Sequence, residues 1–299
     1  MKWTSTLILL CVVVLVLGMF SGMDSAARDK GLSDRSLRFT ILYDNYLHKE
    51  GTKPDWRFSC LIEGTEKTIL FDTGTQPQIL MHNVDALGVD LKKVDQIIIS
   101  HDHGDHTGGL SAVLEKNPEV TVFFPISSPP EFGRRVESYK AEARTVDESI
   151  QICRDVYLTG EMGDEIKEQS LIIDTPEGLI VVTGCSHPGI VTILKRARDI
   201  RDKPIRLVFG GFHLGRKSDA EMQEIIAAFQ SLKVEKCGAT HCTGDTQIAM
   251  FKEAFGENYV PMGTGRIIEV ADFYSPSGRS ITRASAAISQ TVLISIGSL

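Results

Sequence analysis

Val94-Asp95-Gln96-Ile97-Ile98-Ile99-Ser100-His101-Asp102-His103-Gly104-Asp105-His106 joins an apolar run to a dense cluster of histidines and aspartates. The part from Val94 to Ser100 has the composition of a strand covered on both faces. Directly after a strand, residues two apart project to the same side, so His101 and His103 can hold one cation. Gly104 permits a sharp turn, which carries Asp105 and His106 toward a second position across it. Imidazole and carboxylate donors with few thiolates suit Zn2+, with Fe or Mn as alternatives. A structural zinc closes on four ligands, usually rich in cysteine, and this donor set is too large for that.

Working outward, the same grammar recurs. The chain has 8 histidines. Besides those at 101, 103 and 106, His187 follows the apolar run Leu179–Thr183, His213 follows Ile205–Phe209, and His241 follows Glu235–Thr240. Each lies in a glycine-flanked turn, so four strand ends deliver imidazoles to what reads as one convergent site. Strands are expected from about Arg38 to Tyr46, Trp56 to Ile62, Lys67 to Phe71, Val120 to Phe124 and Ser170 to Asp174, with a last one from Arg266 to Val270. Pro176-Glu177-Gly178 marks a hairpin turn. Helices are expected over Gln78–Leu87, Leu110–Leu114, Ile190–Ile200, Asp219–Leu232 with Ser218 as N-cap, and Asp245–Phe255. Two halves, each mixing a sheet with outer helices, predict an α/β (α+β) fold arranged as a four-layer αββα sandwich.

His101-x-His103-x-Asp105-His106 after its strand resembles the signature of the metallo-β-lactamase-fold superfamily. Leu70-Phe71-Asp72-Thr73-Gly74 resembles that family's acidic strand-end motif, which implies that Asp72 orients a ligand histidine or its loop. An aspartic protease reading of Asp-Thr-Gly fails, because that chemistry needs two such carboxylates and no second copy exists. Val182-Thr183-Gly184-Cys185-Ser186-His187-Pro188-Gly189, Gly210-Gly211-Phe212-His213-Leu214, Thr240-His241-Cys242-Thr243-Gly244-Asp245 and Gly263-Thr264-Gly265 follow in order. Together they resemble the branch of 7,8-dihydropterin-6-methyl-4-(β-D-ribofuranosyl)aminobenzene-5′-phosphate synthase-like proteins, over roughly residues 38–270. The superfamily places a bridging Asp after Thr-Gly, where this chain has Cys185. The resemblance implies two metal positions, one held by His101, His103 and His187, the other by Asp105, His106 and His241. Cys185 is then a candidate ligand or bridge, or a buried small residue at a tight turn. His213 is a candidate for substrate binding or ligation, or a structural residue of its turn. Operation with a single ion stays open.

The bulk properties bound the rest. A hydrophobic fraction of 42% and a charged fraction of 24% are those of an ordinary globular protein. The net charge of −7, without like-charged blocks, offers no electrostatic footprint for nucleic acid. Lys2, the apolar stretch Leu7–Leu17 and Ser25-Ala26-Ala27 describe a secretory signal peptide over residues 1–27, with an uncleaved N-terminal anchor as the alternative. The remaining expectations are a catalytic domain over 28–274, a small-residue tail over 275–299, and export to the periplasm or outside the cell, without stable membrane association if the signal is cleaved. Cys60, Cys153, Cys185, Cys237 and Cys242 match no disulfide framework. The expected function is a metal-dependent hydrolase acting on a small ester, lactone or phosphate-containing molecule, with Asp105 and His213 as catalytic groups. Alternatives are a pterin-related synthase, an iron-dependent oxidation and a non-catalytic metal- or ligand-binding module.

Overall fold

Strand Gly178–Thr183 is buried at every position, because both of its faces are covered. Ile180 and Val182 join one apolar cluster, while Leu179 and Val181 join another, which is the two-residue alternation of a pleated strand. A computed structural model shows how widely this pattern extends; it describes residues 37–274. The expected signal segment and C-terminal tail lie outside the described residues. Among the described residues there are thirteen strands: β1 (Arg38–Tyr43), β2 (Ser59–Glu63), β3 (Ile69–Phe71), β4 (Gln96–Ile98), β5 (Thr121–Pro125), β6 (Glu142–Val146), β7 (Ile150–Cys153), β8 (Val156–Leu158), β9 (Leu171–Thr175), β10 (Gly178–Thr183), β11 (Ile205–Gly211), β12 (Lys236–Thr240) and β13 (Ile267–Glu269).

They form two sheets, in the orders β13-β1-β2-β3-β4-β5-β6 and β12-β11-β10-β9-β8-β7. The strands from β3 to β6 run parallel, as do those from β10 to β12. Phe39, Phe58, Phe71, Ile98, Leu171, Val182 and Phe209 belong to the cluster between the sheets. The outer face of the first sheet is covered by α1 (Pro77–Leu87), α3 (Leu110–Lys116) and α4 (Pro130–Ser138). The outer face of the second is covered by α5 (Ile190–Ile200), α6 (Asp219–Ser231) and α7 (Asp245–Phe255). A one-turn helix, α2 (Gly104–Thr107), stands at the end of β4. The architecture is therefore the αββα sandwich.

The helices follow from local sequence. In α5 the buried residues Ile190, Ile193, Leu194 and Ala197 trace one helical stripe. In α6, Ser218 and Glu221 form a reciprocal capping box. One expectation needs correction: Trp56 lies ahead of the strand that begins at Ser59 and is exposed. The stretch from Ile126 to Asp147 is mostly scaffold: α4 buries Phe132 and Val136 against the first sheet, and β6 is its edge strand.

Register decides where the strand ends meet. Phe71 pairs with Ile98, Thr183 with Gly210 and Gly211 with Thr240. Residues just beyond β3, β4, β10, β11 and β12 consequently share one edge of the sandwich.

Candidate metal centre

The first donor set joins the two sheets. His101 and His103, beyond β4, meet His187, beyond β10, with their donor atoms within 4.8 Å of one another. His101 Nε2 lies 3.1 Å from His103 Nδ1. Burial, followed by the charges of neighbouring histidines, holds His101 well below its ordinary pKa. Burial, then His213 and His103, lowers His187 to about 4. Both shifts favour the neutral imidazole at His101 and His187, the form that ligates a cation. His187 Nε2 is buried and has no hydrogen-bond partner, an orphaned nitrogen that a cation would satisfy. The donor chemistry therefore fits a divalent ion.

The second set comprises Asp105 and His106 from α2, Cys185 beyond β10 and His241 beyond β12, again within 4.8 Å. Cys185 Sγ stands 3.2 Å from His106 Nε2 and 3.3 Å from His241 Nε2. The residue at the position where the superfamily places a bridging Asp is thus a thiol between two imidazoles. His106 Nδ1 contacts Asp72 Oδ2 at 2.6 Å. Burial opposes a charged His106, but the Asp72 charge and the hydrogen bonds with Asp105 and Asp72 outweigh it and raise its pKa to about 10. Burial likewise opposes a charged Asp105, yet His106 and Arg57 hold it below the usual carboxylate range. A cation here would replace the proton on His106 Nε2, leaving Nδ1–H on Asp72.

Asp72 is in neither donor set; it touches His106 of the second set directly and reaches His101 of the first through Ser100. Its Oδ1 accepts the Ser100 amide at 2.7 Å, and its Oδ2 accepts the Ser100 hydroxyl at 2.8 Å. The Ser100 hydroxyl lies 2.9 Å from His101 Nδ1, so one carboxylate orients a histidine in each set. Asp72, Ser186, His213 and His241 all have positive φ (55°, 64°, 53° and 54°). Left-handed backbone at non-glycine residues costs energy and gathers at functional sites. His213 is exposed, its ring centroid lies 4.5 Å from that of His187, and with Cys185 and His187 it forms a third donor group.

Several supporting residues carried no sequence signal. Asn45 Nδ2 donates to the His241 carbonyl at 2.9 Å. The buried Asp44 carboxylate accepts the Thr240 hydroxyl at 2.8 and 2.7 Å; burial pushes its pKa up to about 7. Arg57 lies 3.5 Å from Asp105, and the exposed Trp56 ring stands 5.7 Å from that of His241. Glu168 is buried and accepts the amides of Cys185, Ser186 and His187. Beside His103, a cavity of about 230 Å³ is lined by Asp102, Ser127, Ser128, Glu165, Ile166 and Lys167.

The metallo-beta-lactamase superfamily model matches residues 57–194. Across the longer span, the chain is 33% identical over 254 residues to the 7,8-dihydropterin-6-methyl-4-(beta-D-ribofuranosyl)-aminobenzene-5′-phosphate synthase of Methanocaldococcus jannaschii, covering 69% of this chain and 85% of that one. The chain belongs to the metallo-beta-lactamase superfamily. Within it, the chain falls in the branch of that synthase and its relatives. An uncharacterized protein of the same archaeon is 28% identical over 263 residues, covering 77% of this chain and 99% of that one. A solved superfamily structure described as a metal-dependent hydrolase matches with a TM-score of 0.67 and 29% identity, covering 78% of this chain and 98% of that chain. Superfamily membership accounts for the acidic motif at Asp72 and the histidine run, and it supports divalent-metal binding at this edge.

Proposed function

We propose that the chain is a metal-dependent hydrolase of a small ester, lactone or phosphate-containing molecule. The observation that carries this reading is the pair of adjoining donor sets, His101/His103/His187 and Asp105/His106/Cys185/His241. Zn2+ at both positions suits the imidazole, carboxylate and thiolate donors, and Fe or Mn are the alternatives. Bound divalent ions supply Lewis acidity, which makes water a nucleophile near neutral pH and polarises an acyl or phosphoryl oxygen.

The chain's own residues do the positioning. Asp105, kept anionic by His106 and Arg57, would help hold the second ion and orient the attacking water. His213, exposed beside His187, stands where it can hand a proton to the leaving group. Ser100 and Asp72 hold the imidazoles of His101 and His106 in orientation. The cavity beside His103 receives the remainder of a small-molecule substrate.

The 33% identity to the pterin-related synthase favours a second reading, a synthase of the pterin product for which that relative is named. The apolar N-terminal stretch supports export, and an exported chain is separated from cytosolic pterin intermediates, so hydrolysis is preferred. Elemental analysis of the purified protein, followed by a panel of esters, lactones and phosphodiesters, tests the choice. Turnover of at least one class by the zinc-loaded protein is expected. A fully loaded protein that hydrolyses none of them overturns the reading. Formation of the product named for the relative would establish the synthase instead, and near-stoichiometric iron with oxygen uptake would establish oxidation.

A further inference from the structure

The first donor set depends on two sheets holding a fixed separation, and one dipeptide touches both sides. Glu168 and Gln169 lie between β8 and β9 and are each 1% exposed. Glu168 Oε1 accepts the amides of Cys185 and Ser186, both at 2.9 Å, and Oε2 accepts the His187 amide at 2.8 Å. Three backbone donors thus converge on one buried carboxylate, at a turn where Ser186 has a φ of 64°. Three hydrogen bonds to one buried carboxyl group here offset a strained backbone. Gln169 grips the opposite side. Its amide donates to the Ser100 carbonyl at 2.9 Å, and its Nε2 donates to the Ile99 carbonyl at 2.9 Å. Those are the two residues ahead of His101. The dipeptide is itself braced, because Met162 and Glu168 exchange both backbone hydrogen bonds at 2.9 Å. Glu165, Ile166 and Lys167 of the same segment line the cavity beside His103.

We propose that Glu168 and Gln169 form a positioning clasp that sets the distance between the His101/His103 pair and His187, and thereby the affinity of that donor set for its cation. The inference rests on the reading of the donor sets as metal positions. Neither residue touches the ion or the reacting atoms; both act through the histidines.

Glu168→Gln is the discriminating variant. Its carboxamide can still accept the Cys185 and Ser186 amides through oxygen, but its NH2 then meets the His187 amide, donor against donor. The expected result is a loss of about 10–100-fold in affinity for one of two metal equivalents in zinc and cobalt(II) titrations. The thiolate-to-cobalt absorption that reports Cys185 should persist. Glu168→Asp keeps two anionic acceptors on a shorter stem and should fall between wild type and Glu168→Gln; it also serves if the latter does not fold. Hydrogen–deuterium exchange on the metal-free proteins gives a second readout, with faster exchange expected in peptides covering residues 183–189. Wild-type affinity for both equivalents with unchanged exchange overturns the clasp. An equal loss at both equivalents together with global unfolding also overturns it, because that is ordinary destabilisation. A wild-type protein that binds no metal would defeat the proposed function, while the exchange comparison would still decide the clasp.

Discussion

His101, His103, Asp105 and His106 all come from a single strand end, whereas Cys185 with His187, His213 and His241 arrive from three separate strand ends of the other sheet. In the first region the geometry is local. A strand, two residues of alternation and one turn of helix suffice to point four donors at two positions. In the second region no local rule brings the donors together. They meet because Thr183 pairs with Gly210 and Gly211 with Thr240, and because side chains far away in sequence hold the turns. A local constellation is robust to changes elsewhere, while a register-built one is sensitive to its supports.

The largest effects should come from breaking each region at a donor. His103→Ala and His187→Ala should each lose one metal equivalent and lower turnover by about 10³-fold or more, since a bound metal's charge stabilisation amounts to several kcal/mol. Elemental analysis alongside kcat/KM checks this, and full metal occupancy in His187→Ala would remove that residue from the centre. Next comes the shared support. Asp72→Asn keeps the shape but weakens the acceptor for Ser100 and His106, so affinity or activity should fall by about 10–100-fold with both equivalents affected. A loss confined to one equivalent would contradict the dual role of this carboxylate.

A smaller effect is expected where the two regions touch. At Gly184 an added Cβ would lie 2.2 Å from Ser100 Oγ and 3.1 Å from Asp72 Oδ2. Only glycine lets the end of β10 approach that pair so closely. Gly184→Ala should cost about 1–3 kcal/mol in denaturant unfolding, the usual range for overpacking, with weakened metal binding in the protein that remains folded. Unchanged stability would mean that the two strand ends stand farther apart than this geometry places them.

The same division explains what the sequence disclosed. The run from Val94 to His106 shows its strand, its turn and its donors in consecutive residues, and the helix spacing of Ile190–Ile200 and Asp245–Phe255 is equally direct. His187, His213 and His241 are recognisable as strand-end histidines, but nothing local says that Cys185 stands between His106 and His241. Glu168 and Asp44 are invisible for a stronger reason. A buried carboxylate satisfied by amides 17 to 19 positions away, or by a hydroxyl 196 away, leaves no periodicity or spacing to read. Trp56, placed at the head of a strand by its β-favouring character, stands exposed in the loop before Ser59.

Asp44 gives the mildest test of that contrast, because it joins the loop after β1 to the end of β12 without touching a donor. Burial is the main reason its pKa rises to about 7, partly offset by hydrogen bonds from Thr240, Tyr46 and Asn45. In the unfolded chain an aspartate ionises near pH 4, about the model-peptide value. Between about pH 4 and about pH 7 the unfolded state has therefore released a proton that the folded state keeps. By linkage, stability from this group falls as pH rises through that window and levels off above it. The slope cannot exceed about 1.4 kcal/mol per pH unit, the value for one proton. Asp44→Asn keeps one acceptor for Thr240 and removes the titration. Urea midpoints of the metal-free proteins at intervals across the window should therefore converge toward the acid end, the variant losing less stability than the wild type as pH rises. Because Glu168 is also raised by burial to about 7, the difference between the two proteins, rather than either curve alone, isolates Asp44. Parallel curves would show that this carboxylate is ionised in the folded state, and that the β12 turn is held by a charge rather than by a neutral hydrogen-bonded acid.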